Sequence, residues 1–449
     1  MIRYKILQYR FKILYIFDKN YNLMNFIEEL KWRGMIHDII PGTKEQFEKE
    51  MTSAYIGFDP TSDSLHIGSL VQIMILVHLQ RCGHKPFVLV GGATGMVGDP
   101  SGKSKERNLL DEKTLKNNLH SVQKQLENFL DFDCGENSAE IVNNADWFAD
   151  FSFLDFIRDV GKYIPINYML AKDSVKSRLE EGMSFTEFSY QLVQGYDFYW
   201  LWKHKNCTVQ LGGSDQWGNI VTGTELVRRK EEGKVFAVTT PLIKKIDGGK
   251  FGKTESGNVW LNKTKTSPYK FYQFWMNASD QDSKNYIKIF TLKSQEEISN
   301  LIDLHEQAPH LRILQKTIAE DVTRRVHGQE DLDIAIKASS ILFGNSTSED
   351  LKSLDELTFV SLFEGVPQFE IDKSDLNERI LDILAEKTQI FTSKGEARRM
   401  ISSNAVSVNK DKISENYHLS ENDLLNNKYI VIQKGKKNYF LIIVKPSMS

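Results

Sequence analysis

The sequence has 449 residues but only three cysteines, Cys82, Cys134 and Cys207, and they lie far apart. No Cys-x-x-Cys pair occurs, so the sequence supports neither a zinc knuckle nor a disulfide framework, and a reducing, cytoplasmic location fits best. No apolar run approaches the roughly 18 residues that a membrane-spanning helix needs, so we expect no membrane partner. The net charge is −3, so any affinity for nucleic acid must come from a local basic surface.

Two common nucleotide-binding motifs are also missing. The glycine-rich segment 91–107, GGATGMVGDPSGKSKER, places Val97 where a P-loop requires glycine, and its Pro100 cannot donate an N–H group. No Gly-x-Gly-x-x-Gly follows a strand, so nothing supports a nicotinamide cofactor. Lys103 and Arg107 would instead suit a loop that closes over a polyphosphate.

The beginning of the sequence has an unusual composition. Residues 1–23 are basic and aromatic, with no serine and no small-residue cleavage site, so they make a poor secretory signal and an atypical transit peptide. We expect residues 1–24 to be an N-terminal extension, with translation starting at Met24, and a targeting role is the alternative.

Between about residues 50 and 245, strands and helices alternate, which predicts a doubly wound α/β domain. Ala54–Phe58 and Pro86–Val90 are predicted as parallel strands joined by a helix from about His66 to Arg81. The further predicted elements are helices at 112–132, 168–182, 184–204 and from about 218, and strands at 141–142, 208–211 and 235–243.

The predicted fold class is therefore α/β: a doubly wound, Rossmann-like parallel-sheet domain, an α-helical domain and a small α+β domain. The corresponding boundaries are 25–264, 265–345 and 376–449, with 346–375 as an acidic, irregular linker. The last domain holds twelve lysines and arginines against eight aspartates and glutamates, so the basic excess of the chain lies there.

His66 and Gly68 stand where the first strand gives way to a helix, in YIGFDPTSDSLHIGS (55–69). The N–H groups at a helix N-terminus favour an anion, glycine allows close approach to the backbone, and histidine adds a donor for a developing phosphate charge. The alternative is a histidine with a purely structural role in a tight turn.

Two further segments complete the pattern. KIDGGKFGKTESG (245–257) is either a hairpin turn with exposed lysines or a flexible cationic loop that clamps a leaving pyrophosphate. In SYQLVQGYD (189–197), Tyr190, Gln194 and Asp197 share one helix face among apolar neighbours, which indicates a small-ligand pocket, and a solvated surface is the alternative.

Together these stretches resemble the bacterial-type tyrosyl-tRNA synthetases, a family of class I aminoacyl-tRNA synthetases. The resemblance covers the chain from about residue 25 and rests on YIGFDPT, LHIGS, GGATGMVGDPSGK, SYQLVQGYD, QLGGSDQWGN and KFGKT in this order. HIGS stands where HIGH is frequent, so Ser69 replaces the second histidine, and KFGKT stands for the class pattern KMSKS.

The resemblance implies a set of tyrosine-binding residues. Tyr55 and Asp197 would hold the phenol hydroxyl. The ammonium group would be held by Asp99, Tyr190 and Gln194, and the carboxylate by Gln216.

It likewise implies an ATP site. The phosphates would be stabilised in the transition state by His66, Thr61, Lys250, Lys253 and Thr254, assisted by Lys103 and Arg107. Nucleotide contacts would come from Gly57, Asp59, Gly68, Gly213, Asp215 and Lys253. Ile56 and Gln72 occupy positions where family members can carry ribose-contacting side chains.

The implied activity is tyrosine–tRNA ligation with ATP as substrate, Mg²⁺ as its counterion, and no protein-bound metal or organic cofactor. Partners would be L-tyrosine, tRNA(Tyr) and a second copy in a homodimer. The resemblance further implies that 25–264 is the catalytic domain, 265–345 the α-helical anticodon-region domain and 376–449 a small RNA-binding domain. In the last domain the tRNA backbone would be contacted by Lys394, Arg398, Arg399, Lys434, Lys436 and Lys437, for which a charged surface without RNA is the alternative.

Three other functions remain open at this point. Tryptophanyl-tRNA synthetases share the fold and the phosphate motifs, and Tyr55 and Asp197 make the distinction. A small-molecule nucleotidyltransferase could use the same His-Gly site but would not need the basic C-terminal domain. A catalytically silent RNA-binding protein would not need intact active-site motifs.

Overall fold

The computed structural model describes residues 25–101, 111–179, 182–246, 248–249, 251–254, 257–343, 347–364, 366–435 and 438–445. The predicted N-terminal extension therefore lies outside the described residues. The chain divides into two compact units. The first comprises the chain up to Asn262 together with Ala278–Val326, and the second comprises Lys263–Asn277 and the chain from His327 onward.

A five-stranded parallel sheet forms the centre of the first unit. Its strands are β1 (Ser53–Phe58), β2 (Lys85–Val90), β3 (Glu140–Asn143), β4 (Cys207–Gly213) and β5 (Phe236–Thr240). The strand order is β3-β2-β1-β4-β5, so the direction of winding reverses between β1 and β4. In open α/β sheets a ligand binds at this switch point, beyond the carboxyl ends of the strands. The doubly wound fold class is thus confirmed.

Eleven helices precede or connect these strands in the described part of the chain. They are α1 (Phe26–Trp32), α2 (Thr43–Lys49), α3 (Ile67–Arg81), α4 (Thr94–Val97), α5 (Glu112–Leu126), α6 (Ala145–Phe148), α7 (Phe153–Asp159), α8 (Ile166–Leu170), α9 (Asp173–Leu179), α10 (Phe185–Lys205) and α11 (Trp217–Glu231). The single helix predicted at 168–182 is wrong, because α8 ends at Leu170 and α9 begins at Asp173. The helix predicted at 112–132 ends at Leu126.

Helices α10 and α11 approach each other closely through two glycines. A Cβ on Gly223 would lie 2.9 Å from Cβ of Phe198 and 3.3 Å from the carbonyl oxygen of Gly195. A Cβ on Gly195 would in turn lie 3.3 Å from the backbone nitrogen of Gly223. This contact fixes the position of α10, which carries the polar row Tyr190, Gln194 and Asp197.

A short hairpin and five helices follow β5. The hairpin strands are β6 (Lys253–Thr254) and β7 (Gly257–Asn258), and the helices are α12 (Pro268–Met276), α13 (Asp280–Phe290), α14 (Gln295–Gln307), α15 (Ile313–His327) and α16 (Gln329–Phe343). The sequence predicted one helical domain over 265–345. In the structure α13 and α14 belong to the first compact unit, whereas α12 and α16 belong to the second.

The C-terminal part of the chain contains a second five-stranded sheet, in the order β10-β9-β11-β12-β8. Its elements are α17 (Ser348–Lys352), α18 (Glu356–Leu362), β8 (Gln368–Asp372), α19 (Ile380–Asp382) with a π-turn over Ile383–Lys387, α20 (Lys394–Ser402), β9 (Val406–Val408), β10 (Asp411–Lys412), β11 (Tyr429–Lys434) and β12 (Asn438–Lys445). The predicted irregular linker 346–375 is wrong in its described part. It holds α17, α18 and β8, and β8 pairs in parallel with β12.

Candidate active site

A cavity of about 710 Å³ opens at the carboxyl ends of β1 and β4 in the first unit. It lies at the reversal of strand order, where the βα connections diverge and leave room for a ligand. The cavity brings together thirteen of the predicted tyrosine-binding, ATP-binding and catalytic residues: Tyr55, Gly57, Asp59, Thr61, His66, Gly68, Asp99, Tyr190, Gln194, Asp197, Gly213, Asp215 and Gln216.

One end of the cavity is a buried polar cluster around Asp197. Its Oδ1 accepts a hydrogen bond of 2.9 Å from Nε1 of Trp147, and its Oδ2 accepts one of 3.1 Å from Nδ2 of Asn144. The hydroxyl of Tyr55 is buried nearby without a hydrogen-bond partner. Because a buried hydroxyl rarely stays unpaired in a native protein, Tyr55 is ready to bond with a ligand group that enters here.

Burial dominates the electrostatics of this cluster. It raises the pKa of Asp197 to about 8, the hydrogen bonds from Asn144 and Trp147 oppose the shift, and the charge of Asp59 adds to it. Burial, followed by the charge of Asp197, also holds the pKa of Tyr55 well above its usual value. A donor on a ligand would offset part of the cost of burying the Asp197 carboxylate.

Two more carboxylates line the middle of the cavity. Asp59 accepts hydrogen bonds from Oη of Tyr190 at 2.9 Å and from Oγ1 of Thr94 at 2.7 Å. Burial and the charges of Asp59 and Asp99 raise the pKa of Tyr190. This concentration of negative charge around a phenol suits a cationic ligand group.

Asp99 is held by the end of β4 and the start of α11. Its Oδ2 accepts a hydrogen bond of 2.7 Å from Gln216, and its Oδ1 accepts from Asn219 at 3.3 Å and from the backbone N–H of Ser101 at 3.0 Å. Asn219 follows Gln216 by one helical turn, so both amides can reach the same carboxylate. The arrangement leaves the Asp99 side chain fixed against the cavity wall.

Amide oxygens add unsatisfied acceptors to the cavity wall. Oε1 of Gln72, of Gln194 and of Gln210 is buried without a hydrogen-bond partner, and all three residues line the cavity. Gln72 donates through Nε2 to Thr240 at 3.2 Å, which orients its oxygen. A ligand rich in O–H and N–H groups would pair these oxygens, which otherwise destabilise the fold.

The opposite end of the cavity is the start of α3. His66 is the N-cap residue, and its Nδ1 accepts the backbone N–H of Gly68 at 3.0 Å. In a neutral imidazole the proton then sits on Nε2, which makes Nε2 the donor. A Cβ on Gly68 would lie 2.8 Å from Cε1 of His66, so the folded-back ring requires glycine at this position.

The lysine-rich segment lies against this same helix start. Ile67 donates its N–H to the carbonyl of Val259 at 2.8 Å, and Val259 donates to the carbonyl of Gly252 at 3.1 Å. Gly252 has φ +80°, and a Cβ there would lie 2.7 Å from Cγ2 of Ile67. The cavity lining from this segment consists of Gly248, Gly249, Phe251, Gly252 and Asn258.

Several predicted phosphate-binding residues cannot be placed. Lys103, Arg107 and Lys250 lie outside the described residues. Lys253 and Thr254 form strand β6, which pairs with β7. Together with the contact of Gly252 on Ile67, this pairing brings the described part of the KFGKT segment to the start of α3.

Part of the polar network that supports the cavity is not among the residues predicted from the sequence. The missed residues are Thr94, Ser101, Asn144, Trp147, Gln210 and Asn219. Asn144 and Trp147 directly follow β3, and polar residues after a parallel strand are a recognised signal of a site. Asn219 was detectable from its three-residue spacing to Gln216.

Three of the predicted RNA-binding residues form ion pairs. Lys394 forms ion pairs with Asp382 and Glu386, Arg398 with Glu415, and Lys434 with Glu396. Arg399 is exposed on α20. Lys436 and Lys437 lie outside the described residues.

Two features are absent from the part of the chain that the structure describes. No group of three or more histidine, cysteine, aspartate or glutamate side chains there is arranged to hold a metal ion. In the same part of the chain, no helix combines the length and the apolar character needed to cross a membrane.

Comparison with known protein families gives two matches. Residues 48–344 match the family described as tRNA synthetases class I (W and Y). Residues 358–442 match the tyrosine–tRNA ligase SYY-like C-terminal domain.

Curated relatives are similar in sequence to this chain along nearly its whole length. The tyrosine–tRNA ligase of Flavobacterium johnsoniae is 62% identical over 430 residues, which cover 94% of this chain and all of that protein. The tyrosine–tRNA ligase of Bacteroides thetaiotaomicron is 59% identical with the same coverage.

Solved structures show the same architecture. A C-terminally truncated mitochondrial tyrosyl-tRNA synthetase from Aspergillus nidulans superposes with a TM-score of 0.62 at 31% identity, over 75% of this chain and 98% of that one. A tyrosyl-tRNA synthetase from Archaeoglobus fulgidus, at 15% identity and a TM-score of 0.51, shares the fold over 69% of this chain and 99% of its own. The chain therefore belongs to the tyrosine–tRNA ligase family of class I aminoacyl-tRNA synthetases.

Proposed function

We propose that this chain activates L-tyrosine with ATP to form tyrosyl-adenylate and pyrophosphate, and then transfers the tyrosyl group to the 3′ end of tRNA(Tyr). One observation carries the proposal. A single cavity joins a buried acceptor and an unpaired phenol, Asp197 and Tyr55, to the helix start of His66 and Gly68. The first end fits the side chain of tyrosine, and the second fits phosphate.

The amino acid would lie across the three carboxylates of the cavity. Its phenol O–H would donate to Asp197 and accept from Tyr55, while its ammonium group would contact Asp99, Tyr190 and Gln194. Gln216 would bind its carboxylate. Phenylalanine would leave the buried groups of Tyr55 and Asp197 unpaired, and an unpaired buried polar group costs about 1–3 kcal/mol.

Activation then needs positioning more than proton transfer. The substrate carboxylate is already a nucleophile, and it attacks the α-phosphorus of ATP while the bond to pyrophosphate breaks. Nε2 of His66 would donate to a phosphate oxygen as negative charge develops there. Thr61, Lys250, Lys253, Thr254, Lys103 and Arg107 would stabilise the remaining phosphate charge.

The nucleotide would be contacted by Gly57, Asp59, Gly68, Gly213 and Asp215. Mg²⁺ would arrive with ATP as its counterion, as part of the substrate. The second step uses the adenylate as acyl donor: a ribose hydroxyl of the tRNA attacks the tyrosyl carbonyl, and AMP leaves. The basic surface of the C-terminal domain would bind the tRNA backbone, and the enzyme would act in the cytoplasm.

We further propose a homodimer formed by an apolar surface on the first unit. Phe153 and Leu154 of α7, Ile166 of α8 and Phe185 of α10 are large apolar residues with more than half of their surface exposed. The rings of Phe153 and Phe185 lie 6.4 Å apart, so these two exposed side chains are neighbours. Patches of this kind mark protein–protein contacts. A Leu154→Glu substitution should convert the dimer to a monomer in sedimentation experiments, and an unchanged mass would contradict this surface.

The activity is tested by exchange of labelled pyrophosphate into ATP. L-Tyrosine should support exchange, whereas L-tryptophan and L-phenylalanine at the same concentration should not. Charging of tRNA(Tyr) with labelled tyrosine tests the second step. Exchange with tryptophan instead of tyrosine, or exchange without any amino acid, would overturn the proposal.

A further inference from the structure

In the sequence, Phe251 stands between Lys250 and Lys253, which have phosphate-binding roles in the proposed function. Phe251 lines the cavity, and its ring contacts α13. Its ring stacks on Phe290 with centroids 5.3 Å apart and an interplanar angle of 16°, and it meets Tyr286 at 5.1 Å. Tyr286 and Phe290 contact each other edge-to-face at 5.9 Å. Both are buried on α13, so Phe251 completes a three-ring cluster.

The C-terminal end of α13 is held by three arginines. Arg33 donates to the carbonyls of Lys288, Thr291 and Lys293, the last two at 3.0 and 2.8 Å. Arg81 donates to the carbonyl of Leu292 at 3.2 Å and Arg325 to that of Phe290 at 2.8 Å. Carbonyls at a helix end have no partners within the helix, so these bonds satisfy and fix that end.

Two of these arginines are themselves anchored in the interior. Arg33 pairs with Glu29 at 2.7 Å, and both side chains are almost fully buried. Arg325 pairs with Asp321 on α15. Buried, hydrogen-bonded pairs resist displacement because separating them would leave a charge unpaired. Helix α13 is thus a rigid support for the ring of Phe251.

The same support also binds the chain before Phe251. The N–H of Ile246 donates to Oδ1 of Asp282 at 3.2 Å, and Asp282 is in the first turn of α13. On the other side, Gly252 contacts the start of α3 so closely that a Cβ would lie 2.7 Å from Ile67. Phe251 therefore belongs to a segment that contacts α13 on one side and the start of α3, which carries His66, on the other.

We propose that Phe251 is a positioning residue for adenylate formation, because its packing on Tyr286 and Phe290 sets where the KFGKT backbone meets the phosphate end of the cavity. The inference rests on the proposed function and adds a residue whose side chain has no group able to bind phosphate. It acts through its neighbours Gly252 and Lys253, whose backbone leads to the start of α3. The effect should therefore fall on the ATP-dependent step and spare tyrosine binding.

The test compares Phe251→Ala with Phe251→Leu in the full-length chain. We expect Phe251→Ala to slow single-turnover adenylate formation at saturating ATP at least tenfold, with the Kd for tyrosine changed by less than twofold. Phe251→Leu should recover at least a third of the wild-type rate, because a large apolar side chain still packs on the two rings. A loss of folding alone would change the active fraction and leave the rate per active site unchanged.

A double substitution locates the partner. Phe290→Leu should slow the same step, and combining it with Phe251→Ala should add less than a twofold further loss, because the two rings act as one contact. Phe369→Ala serves as the matched control, since Phe369 is a half-buried ring in contact with Phe440 and does not line the cavity. That variant should keep the wild-type rate.

The outcomes separate the two proposals. If the wild-type chain shows no tyrosine-dependent pyrophosphate exchange, the proposed function fails. If the wild type is active and Phe251→Ala forms adenylate at an unchanged rate, or weakens tyrosine binding as much as it slows the reaction, the role of Phe251 is overturned while the function stands.

Discussion

Nε1 of Trp147 donates a 2.9 Å hydrogen bond to Oδ1 of Asp197, which orients a buried carboxylate at the tyrosine end of the cavity. The two residues are 50 positions apart, on α6, which follows β3, and on α10. Trp147 itself stacks on Trp200 with centroids 4.3 Å apart. The indole is therefore held from one side by packing and from the other by the carboxylate.

Removing the Trp147 donor should weaken recognition of tyrosine. In Trp147→Phe the Asp197 carboxyl loses one of its two protein partners, and a typical intramolecular hydrogen bond contributes about 0.5–1.5 kcal/mol. We expect the KM for tyrosine to rise roughly tenfold, with discrimination against phenylalanine reduced in pyrophosphate exchange. Trp200→Phe keeps the stacking surface and does not touch Asp197, so it should leave both quantities within twofold.

The raised pKa of Asp197 predicts a pH-dependent stability. Its folded-state pKa of about 8 lies above the value in an unfolded chain, so the folded protein binds this proton more tightly. The resulting stability is complete at acidic pH and is lost as pH rises toward 8. Between about pH 6 and about pH 8, the wild type should therefore lose about 2 kcal/mol of unfolding free energy relative to Asp197→Asn. Parallel pH profiles in urea titrations would contradict the shift.

Separating α10 from α11 should damage both stability and tyrosine binding. A methyl group at Gly223 would meet Phe198 at 2.9 Å and Gly195 at 3.3 Å, so Gly223→Ala must push the helices apart. Overpacking of this kind costs typically about 1–3 kcal/mol, which thermal unfolding would detect, and displacement of α10 should raise the KM for tyrosine. Gly395→Ala is the control, because its Cβ would find only Ser393 Oγ at 3.8 Å. A neutral Gly223→Ala would show that the helices tolerate a wider spacing.

The buried arginine that supports α13 should be essential for stability. Arg33→Met removes the ion-pair partner of Glu29 in the interior, where the hydrogen bond from Trp32 and the contact with His78 remain, and it removes the donors to the carbonyls after α13. Breaking a buried pair costs about 3–5 kcal/mol, measurable by chemical unfolding. Arg158→Met removes an exposed arginine that pairs with Asp155 and Asp159, and it should change stability by less than about 1 kcal/mol. Equal effects would refute the assigned role of the buried pair.

Among the predicted RNA contacts, Arg399 should contribute more than Lys394. Arg399 is exposed, whereas Lys394 is already neutralised by Asp382 and Glu386. Arg399→Ala should weaken tRNA binding and reduce the slope of log K against log salt by roughly one contact. Lys394→Ala should reduce that slope less. The ranking is checked by filter binding at several salt concentrations, and a larger effect of Lys394→Ala would reverse it.

The short-range features of this protein were determined by the sequence alone. Strand β1, helix α3 and strand β2 follow from hydrophobic runs and turn residues that act over a few positions. The helix start at about His66 and the shared face of Tyr190, Gln194 and Asp197 follow from the spacing of residues in a helix. The order of the motifs was enough to indicate the family.

Only the tertiary structure decided which distant groups meet. Asn144 and Trp147 meet Asp197, and the ring of Phe251 meets α13, only in the folded chain. Strand β8 lies in a segment that reads as an acidic linker, yet it pairs with β12. It also divided the helices between 268 and 343 over two compact units. The physical reason is that burial, ion pairing and strand register depend on neighbours that are remote in the chain, and residue spacing carries no information about those neighbours.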